Sequence, residues 1–149
     1  MKKITSMMTL VFISLNLHAK SLCSKGEHTY FSCQIDIKEI SFCGQPNKFL
    51  EYRYGTLKKI EMSYRADAQK NRKNKINHIL MGNDIFFFKK NDYYYSLSIP
   101  MKGYPVLQIK KNQKITNALE CKTADSWSGE NKFLKFISDE EINDLDSIL

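Results

Sequence analysis

The chain has 149 residues, of which 23 are basic and 16 acidic, so its formal net charge is +7; 42% of its residues are hydrophobic. This length supports one domain with a modest core. A helix that spans a bilayer needs about 20 consecutive apolar residues. The sequence has no such run, so we expect no transmembrane segment and a soluble domain.

Residues 1–19 carry the features of a secretory signal peptide in the required order. Lys2 and Lys3 provide positive charge, residues 4–17 are mostly apolar, and Ala19 is a small residue at the expected cleavage position. The apolar stretch is too short for a transmembrane helix. We therefore predict export to the periplasm or beyond, with residues 20–149 forming a single disulfide-bonded β domain.

All four cysteines lie after the predicted signal peptide. An even number of cysteines in an exported chain predicts two disulfides, and four cysteines allow three pairings. Strand alternation places Cys33 and Cys43 on opposite faces of neighbouring strands, where they cannot pair without a bulge. We favour Cys33–Cys121 across the core and Cys23–Cys43 at the rim. No C-x-x-C pair is present, so we expect no metal and no cofactor.

Two-residue alternation predicts a mainly β fold. Residues 28–64 read as four consecutive antiparallel strands, and residues 76–122 as further strands with turns at 82–83, 91–92 and 112–113. This is an antiparallel meander of about eight strands, which forms a barrel or a sandwich. The short connections favour the barrel.

One amphipathic helix is predicted at the C-terminus. Ser138 fits the N-cap of a capping box, with Glu141 three residues further on. Apolar residues then recur at helical spacing at Ile142, Leu145 and Ile148. We expect this helix to lie on the sheet or across the mouth of the barrel.

Residues 65–78 are basic and almost without apolar side chains. The ordinary interpretation is a solvated loop or a short polar helix. The alternative is a patch that binds an anionic lipid, a polysaccharide or an acidic protein face through Arg72, Lys73 and Lys75. Aromatic residues are absent from this segment, so bases have no stacking platform and we expect no nucleic-acid partner.

Aromatic residues are concentrated between Phe86 and Tyr95, where the ordinary interpretation is core packing. A recognition face is the alternative for tyrosines that point outward. An outward row of Tyr52, Tyr54 or Tyr94 would suit protein binding, since tyrosine is enriched at interface hot spots.

No catalytic motif is present. The sequence lacks H-E-x-x-H, G-x-S-x-G, a P-loop and G-x-G-x-x-G. His28 and His78 are far apart in the sequence, and carboxylates such as Glu51 and Glu61 fall at strand positions expected to face solvent. We therefore predict a protein without enzymatic activity; a site built around His28 or His78 is the alternative.

Four sequence words, YFSC, SFCG, LEYRYG and IEMSY, occur in this order between Tyr30 and Tyr64. Together they resemble a pattern found in a group of small secreted proteins of Gram-negative bacteria, which also have a later cysteine, here Cys121. Glu51 and Tyr54 stand where that pattern more often has Gln and Phe. The resemblance implies export and a β fold, and it implies no activity.

A weaker similarity connects the chain to the periplasmic inhibitors of C-type lysozymes. Those proteins are small β-barrels, and the similarity concerns size, export, strand number and cysteine placement. Their inhibitory Ser-Gly-x-x-Tyr motif is absent, because Ser128-Gly129 is not followed by the tyrosine. The basic charge also disfavours steering towards a basic lysozyme.

These patterns together predict an exported binding module. One form of it is an inhibitor or immunity protein that acts on a cell-envelope hydrolase. The alternative is a structural envelope protein that binds anionic lipid or polysaccharide through residues 65–75.

Overall fold

The computed structural model describes residues 21–67, 74–80, 82–124 and 137–138, which form eleven strands in two sheets and no helix. The predicted signal peptide and residues 139–149 of the predicted C-terminal helix lie outside this part. Ser138, the predicted N-cap, belongs to a strand, so the helix is unsupported. None of the described residues form a helix that could cross a membrane.

The first sheet has the strand order β10-β1-β2-β3-β4, and the second has the order β11-β5-β6-β7-β8-β9. Every pairing is antiparallel except that of β11 with β5. The strands are β1 His28–Ile35, β2 Lys38–Gln45, β3 Phe49–Thr56, β4 Lys59–Asp67, β5 Ile76–Leu80, β6 Asn83–Lys90, β7 Tyr93–Pro100, β8 Val106–Lys111, β9 Lys114–Glu120, β10 Thr123–Ala124 and β11 Ile137–Ser138.

The hairpin turns follow the predicted turn residues closely. Asn91 and both residues of the Asn112–Gln113 turn have positive φ, as two-residue hairpin turns require. One turn is displaced by a residue, since Asn83 already belongs to β6 and Gly82 supplies the positive φ. The meander within each sheet is therefore confirmed.

The core lies between the two sheets and is largely aromatic. Phe42 of β2 packs against Phe86 of β6 with ring centroids 5.3 Å apart, and Phe88 stacks on Tyr64 of β4 at 4.3 Å. Tyr52 also contacts Phe88, at 5.1 Å. Phe86 and Phe88 are thus core residues, as the concentration of aromatics predicted, and burial of such rings is the main stabilising term.

The expectation of a barrel is wrong, because the two sheets do not close on each other. In the described part of the chain, β4 pairs only with β3, and β9 pairs only with β8. After β9 the chain crosses to the first sheet, where β10 pairs with β1. The sequence pattern specifies which face of a strand is buried, but it does not specify which edges of the sheets meet.

Two disulfides hold the molecule, and they have the pairing that we favoured. Cys33 of β1 bonds to Cys121 and thereby joins the sheets, while Cys23 bonds to Cys43 of β2. Backbone bonds support the first link, since the N–H of Cys121 donates to Pro105 O at 2.9 Å and that of Lys122 to Gln34 O at 2.7 Å.

Cys43 is fully buried, although alternation placed it on an outward-facing rim. The reason is that residues 21–27, here called the N-terminal strap, lie across the outer face of the first sheet. The N–H of Leu22 donates to the Ser41 hydroxyl at 3.0 Å, and Leu22 itself is buried. The strap therefore gives the first sheet a second covered face.

Candidate ligand-binding cleft

A cleft of about 230 Å³ lies between the two sheets and opens to solvent. It is mainly apolar, and it is bounded by β3 and β4 on one side and by β7, β8 and β9 on the other. The lining residues are Tyr52, Tyr54, Glu61, Met62, Tyr95, Leu107, Ile109 and Leu119. The cleft therefore reaches the edge strands of both sheets, β4 and β9.

A bulge brings Glu61 to this cleft. The β3–β4 register shifts between Tyr54 and Gly55, and Gly55 has φ +149°. A Cβ atom at Gly55 would lie 2.4 Å from Lys59 O, so only glycine fits the close approach of the two backbones. Simple alternation predicted that Glu61 faces solvent, and it carries no signal for this bulge.

Lys38 closes one part of the rim by an ion pair with Glu61. The two groups are 2.7 Å apart, and the ammonium lies 5.2 Å from the centroid of the Tyr54 ring. The hydrogen bond to Glu61 raises the pKa of Lys38, so the lysine is charged at neutral pH. The rim thus carries an ion pair between Lys38 and Glu61, and the ammonium of this pair lies beside the Tyr54 ring.

Two tyrosines give the interior a small polar component. Burial raises the pKa of Tyr52 and of Tyr95, so both hydroxyls remain protonated at neutral pH. A neutral phenol can donate one hydrogen bond and accept others. The cleft can therefore hold a mainly apolar group that makes a hydrogen bond, and its described lining residues include no histidine.

The tyrosines predicted to form an outward row do not do so. Tyr52 is 1% exposed and points into the core, on the same face as its cross-strand neighbour Tyr64. Tyr54 is half-buried at the rim of the cleft. Tyr94 lies on the opposite face of the second sheet, where Lys89 sits 5.1 Å from its ring. Tyr52 and Tyr54 share a site, and Tyr94 is separate from it.

The basic segment is only partly described. Arg72 and Lys73 lie outside the described residues, whereas the backbone N–H of Lys75 donates to the Tyr64 hydroxyl at 3.2 Å. Arg65, which opens the segment, belongs to β4 and stacks on the ring of Phe49 at 3.6 Å. In this segment, Arg65 and Lys75 are therefore held by contacts with Phe49 and Tyr64, and neither of these basic residues lines the cleft.

Arg53 forms a separate charged cluster under the strap. Its guanidinium donates to both carboxylate oxygens of Glu27, at 2.7 and 2.8 Å, and to Glu51 at 2.6 Å. It also donates to Leu22 O at 3.1 Å. Glu51 was predicted to be solvated, and its pairing with Arg53 corrects that expectation.

Burial raises the pKa of Glu27, but hydrogen bonds from Arg53 and from the backbone of Ser24 outweigh it and leave that pKa below the usual range. Glu27 also lies close to the sulfurs of Cys23 and Cys43, a grouping of possible metal ligands. The two sulfurs are bonded to each other, so they cannot bind a metal as thiolates. The cluster fastens the strap.

The two described histidines, His28 and His78, are not among the residues that line the cleft. Nε2 of His78 lies 2.7 Å from the Asp84 carboxylate, and the imidazole stacks on Phe86 at 4.7 Å. His28 is near Tyr30 on β1, with ring centroids 4.4 Å apart. His78 and Asp84 are neighbours in adjacent strands, β5 and β6, but neither contributes to the cavity described above.

Comparison with known proteins gives no relative from which a role could be transferred. Neither the protein-family models, nor the curated proteins, nor the solved structures provide a match to this chain. The function therefore has to be inferred from the cleft and its surroundings.

Proposed function

We propose that the protein is an exported, non-catalytic binding module, and that it engages a protein of the cell envelope through the cleft between its sheets. An inhibitor or immunity protein directed against a cell-envelope hydrolase is the form that we favour. The observation that carries the proposal is an apolar cleft of about 230 Å³ that is open to solvent between two edge strands.

The size of the cleft supports a protein partner. A cavity of about 150 Å³ holds benzene, whereas small-molecule sites usually span about 300–1,000 Å³. A volume of about 230 Å³ lies between these values and suits one large apolar side chain that belongs to a larger ligand. Apolar side chains seated in a pocket are typical anchors of protein interfaces.

The chemistry of the lining supports binding without catalysis. Among the described lining residues, Glu61 is the only carboxylate, and it is already paired with Lys38. General acid–base catalysis needs a group of suitable pKa within reach of a substrate proton. The lining offers tyrosine hydroxyls that stay protonated, which serve as hydrogen-bonding groups.

Affinity capture tests the proposal. The full chain, exported and purified in its oxidised form, is immobilised and exposed to an envelope extract, alongside Leu119→Trp, which fills the cleft. We expect a partner that the wild type retains and Leu119→Trp loses, with inhibition of a lysozyme or an amidase in parallel. Met101→Trp, at an 83% exposed loop position, is the control for an added surface tryptophan.

Absence of both a captured partner and any inhibition would contradict the proposal. The alternative, an anionic lipid or polysaccharide bound through residues 65–75, predicts a different result. Binding to anionic vesicles would then fall with salt and with charge reversal at Arg72, Lys73 and Lys75, and would be indifferent to Leu119→Trp.

A further inference from the structure

The two edge strands beside the cleft differ in how their outer backbone groups are satisfied. On β4, the carbonyl of Ser63 accepts from the Lys90 ammonium at 2.8 Å, and the carbonyl of Arg65 accepts from the Asn74 side chain at 3.1 Å. Residues two apart on a strand direct their carbonyls to the same side. The outer edge of β4 is therefore capped by side chains along this stretch.

No comparable cap occurs on β9 within the described residues. Every residue of β9 except Leu119 is exposed, and the strand pairs only with β8 there. The one side-chain hydrogen bond that β9 makes with other described residues runs inward, from the Thr116 hydroxyl to Ile109 O at 2.9 Å. An uncapped edge strand is a template for pairing with another strand.

The ladder between β8 and β9 shows which backbone groups point outward. Cys121 N–H donates to Pro105 O, so this pair is hydrogen-bonded, and bonded pairs alternate with non-bonded pairs along an antiparallel ladder. The pairs of Leu119 with Leu107 and Asn117 with Ile109 are then bonded to β8. It follows that Ala118 and Glu120 direct their N–H and C=O groups to the free edge.

Leu119 connects this edge to the cleft. It faces inward opposite Leu107 and lines the cavity. A strand added to β9 would lie about 4.8 Å away, and its residue opposite Leu119 would point to the same face, with Cβ atoms about 5 Å apart. That side chain would enter the open side of the cleft towards Met62.

Charge and geometry restrict the added strand further. The register shift between Ile109 and Lys110 limits regular pairing to the part of β9 that follows Thr116. Lys111 and Lys114 lie directly opposite each other beyond that point. Between residues 106 and 122 the only acidic residue is Glu120, against four lysines. An acidic flank on the ligand would complement this end of the hairpin.

We propose that β9 is the docking edge for an extended peptide segment of the partner protein. The segment pairs with the backbone of Ala118 and Glu120, inserts one large apolar side chain into the cleft beside Leu119, and places acidic residues near Lys111 and Lys114. Main-chain bonds supply affinity in this mode and the pocket supplies specificity. The inference rests on the proposed function and specifies how that function is exercised.

A phage-displayed library of random peptides, selected on the full oxidised chain, provides the probe. We expect a consensus with one aromatic or branched apolar position and acidic residues on one flank. Ala118→Pro removes an outward N–H without touching the β8 ladder, and edge strands tolerate proline. It should weaken a selected peptide about tenfold or more, and Ala118→Val, which keeps the N–H, should weaken it clearly less, so that the difference between the two variants isolates the N–H.

Two further variants test the pocket and the charge. Leu119→Trp should abolish binding, and charge reversal at Lys111 and Lys114 should weaken it in a salt-dependent way. Lys102→Glu, in an exposed loop at the other end of the second sheet, is the matched control. Circular dichroism and thermal unfolding show whether each variant is folded.

Three results would overturn the inference. A partner captured from the envelope that binds Ala118→Pro and Leu119→Trp like wild type would leave the binding function intact and remove β9 from it. If no peptide is selected, and sodium dodecanoate shifts the NMR resonances of the Leu119 methyl groups, the cleft binds an acyl chain instead of a peptide. A dimer in sedimentation equilibrium that Ala118→Pro dissolves would identify a second copy of the chain as the occupant.

Discussion

The two sides of the sandwich are built in opposite ways. On the locked side, β1 meets the segment that directly follows β9, and there the Cys33–Cys121 bond and the backbone bond from Lys122 to Gln34 fasten the second sheet to the first. On the open side, no hydrogen bond among the described residues joins β4 to β9, although Lys90 of β6 donates to Ser63 O of β4, and the cleft lies there. Locking one side covalently allows the other to stay open without the sheets separating.

The largest effect should come from releasing the locked side. Replacing Cys33 and Cys121 together by alanine removes a link between residues 88 apart, which should lower the free energy of unfolding by about 4.5 kcal/mol. Replacing Cys23 and Cys43 opens a loop of separation 20 and should lower it by about 3 kcal/mol. Urea unfolding of the two double variants, monitored by tyrosine fluorescence, measures both values. Equal losses would show that the sheets do not depend on the longer link.

Arg53→Met tests how firmly the strap is held on the outer face of the first sheet. Glu27 and Glu51 would then be left close together with little solvent, and their side chains are only 10% and 13% exposed. We expect a loss of about 3 kcal/mol in urea unfolding. Lys122→Met is the control, because its pair with Asp36 is largely exposed and should contribute less than about 1 kcal/mol. Similar losses for both variants would contradict the distinction.

The locked side was largely predictable from the sequence. Alternation through Phe31, Cys33 and Ile35 identifies the face that is buried, and that face made Cys121 the favoured partner of Cys33. Alternation did not predict the burial of Cys43, because that burial depends on a separate segment, the strap, which crosses the outer face of the first sheet. Periodicity within a strand contains no information about what lies across the sheet.

The open side was not predictable, although most of its residues were placed correctly. Leu107, Ile109 and Leu119 face inward as their alternation predicts, but a cleft forms only because the sheets stay unclosed there. Glu61 enters the lining through a bulge that depends on backbone packing around Gly55. Sites of this kind arise from edges and bulges, which are tertiary features.

Gly55→Ala tests whether the bulge shapes the open side. The added methyl would meet Lys59 O at 2.4 Å in a backbone conformation with φ +149°, so we expect a loss of about 2 kcal/mol and altered resonances at Glu61. Gly103→Ala is the control, since Gly103 also has positive φ (+96°) but no atom within 4 Å of the new methyl. It should cost about 1 kcal/mol, from the backbone conformation alone. Equal losses would mean that close packing at Gly55 has no role.

The smallest expected effect concerns how the stability of the fold changes at acidic pH. Because the folded-state pKa of Glu27 is lowered from 4.5, this carboxylate stabilises the fold above that pH, and its contribution is lost as the pH falls through the lowered value. Glu27→Gln should therefore be less stable than wild type at neutral pH, and the two should converge below pH 4.5 in thermal unfolding. Glu120→Gln, at an exposed carboxylate of the open edge, is the control and should be about as stable as the wild type at neutral pH. A constant gap between Glu27→Gln and wild type across this range would show that the charge of Glu27 does not fasten the strap.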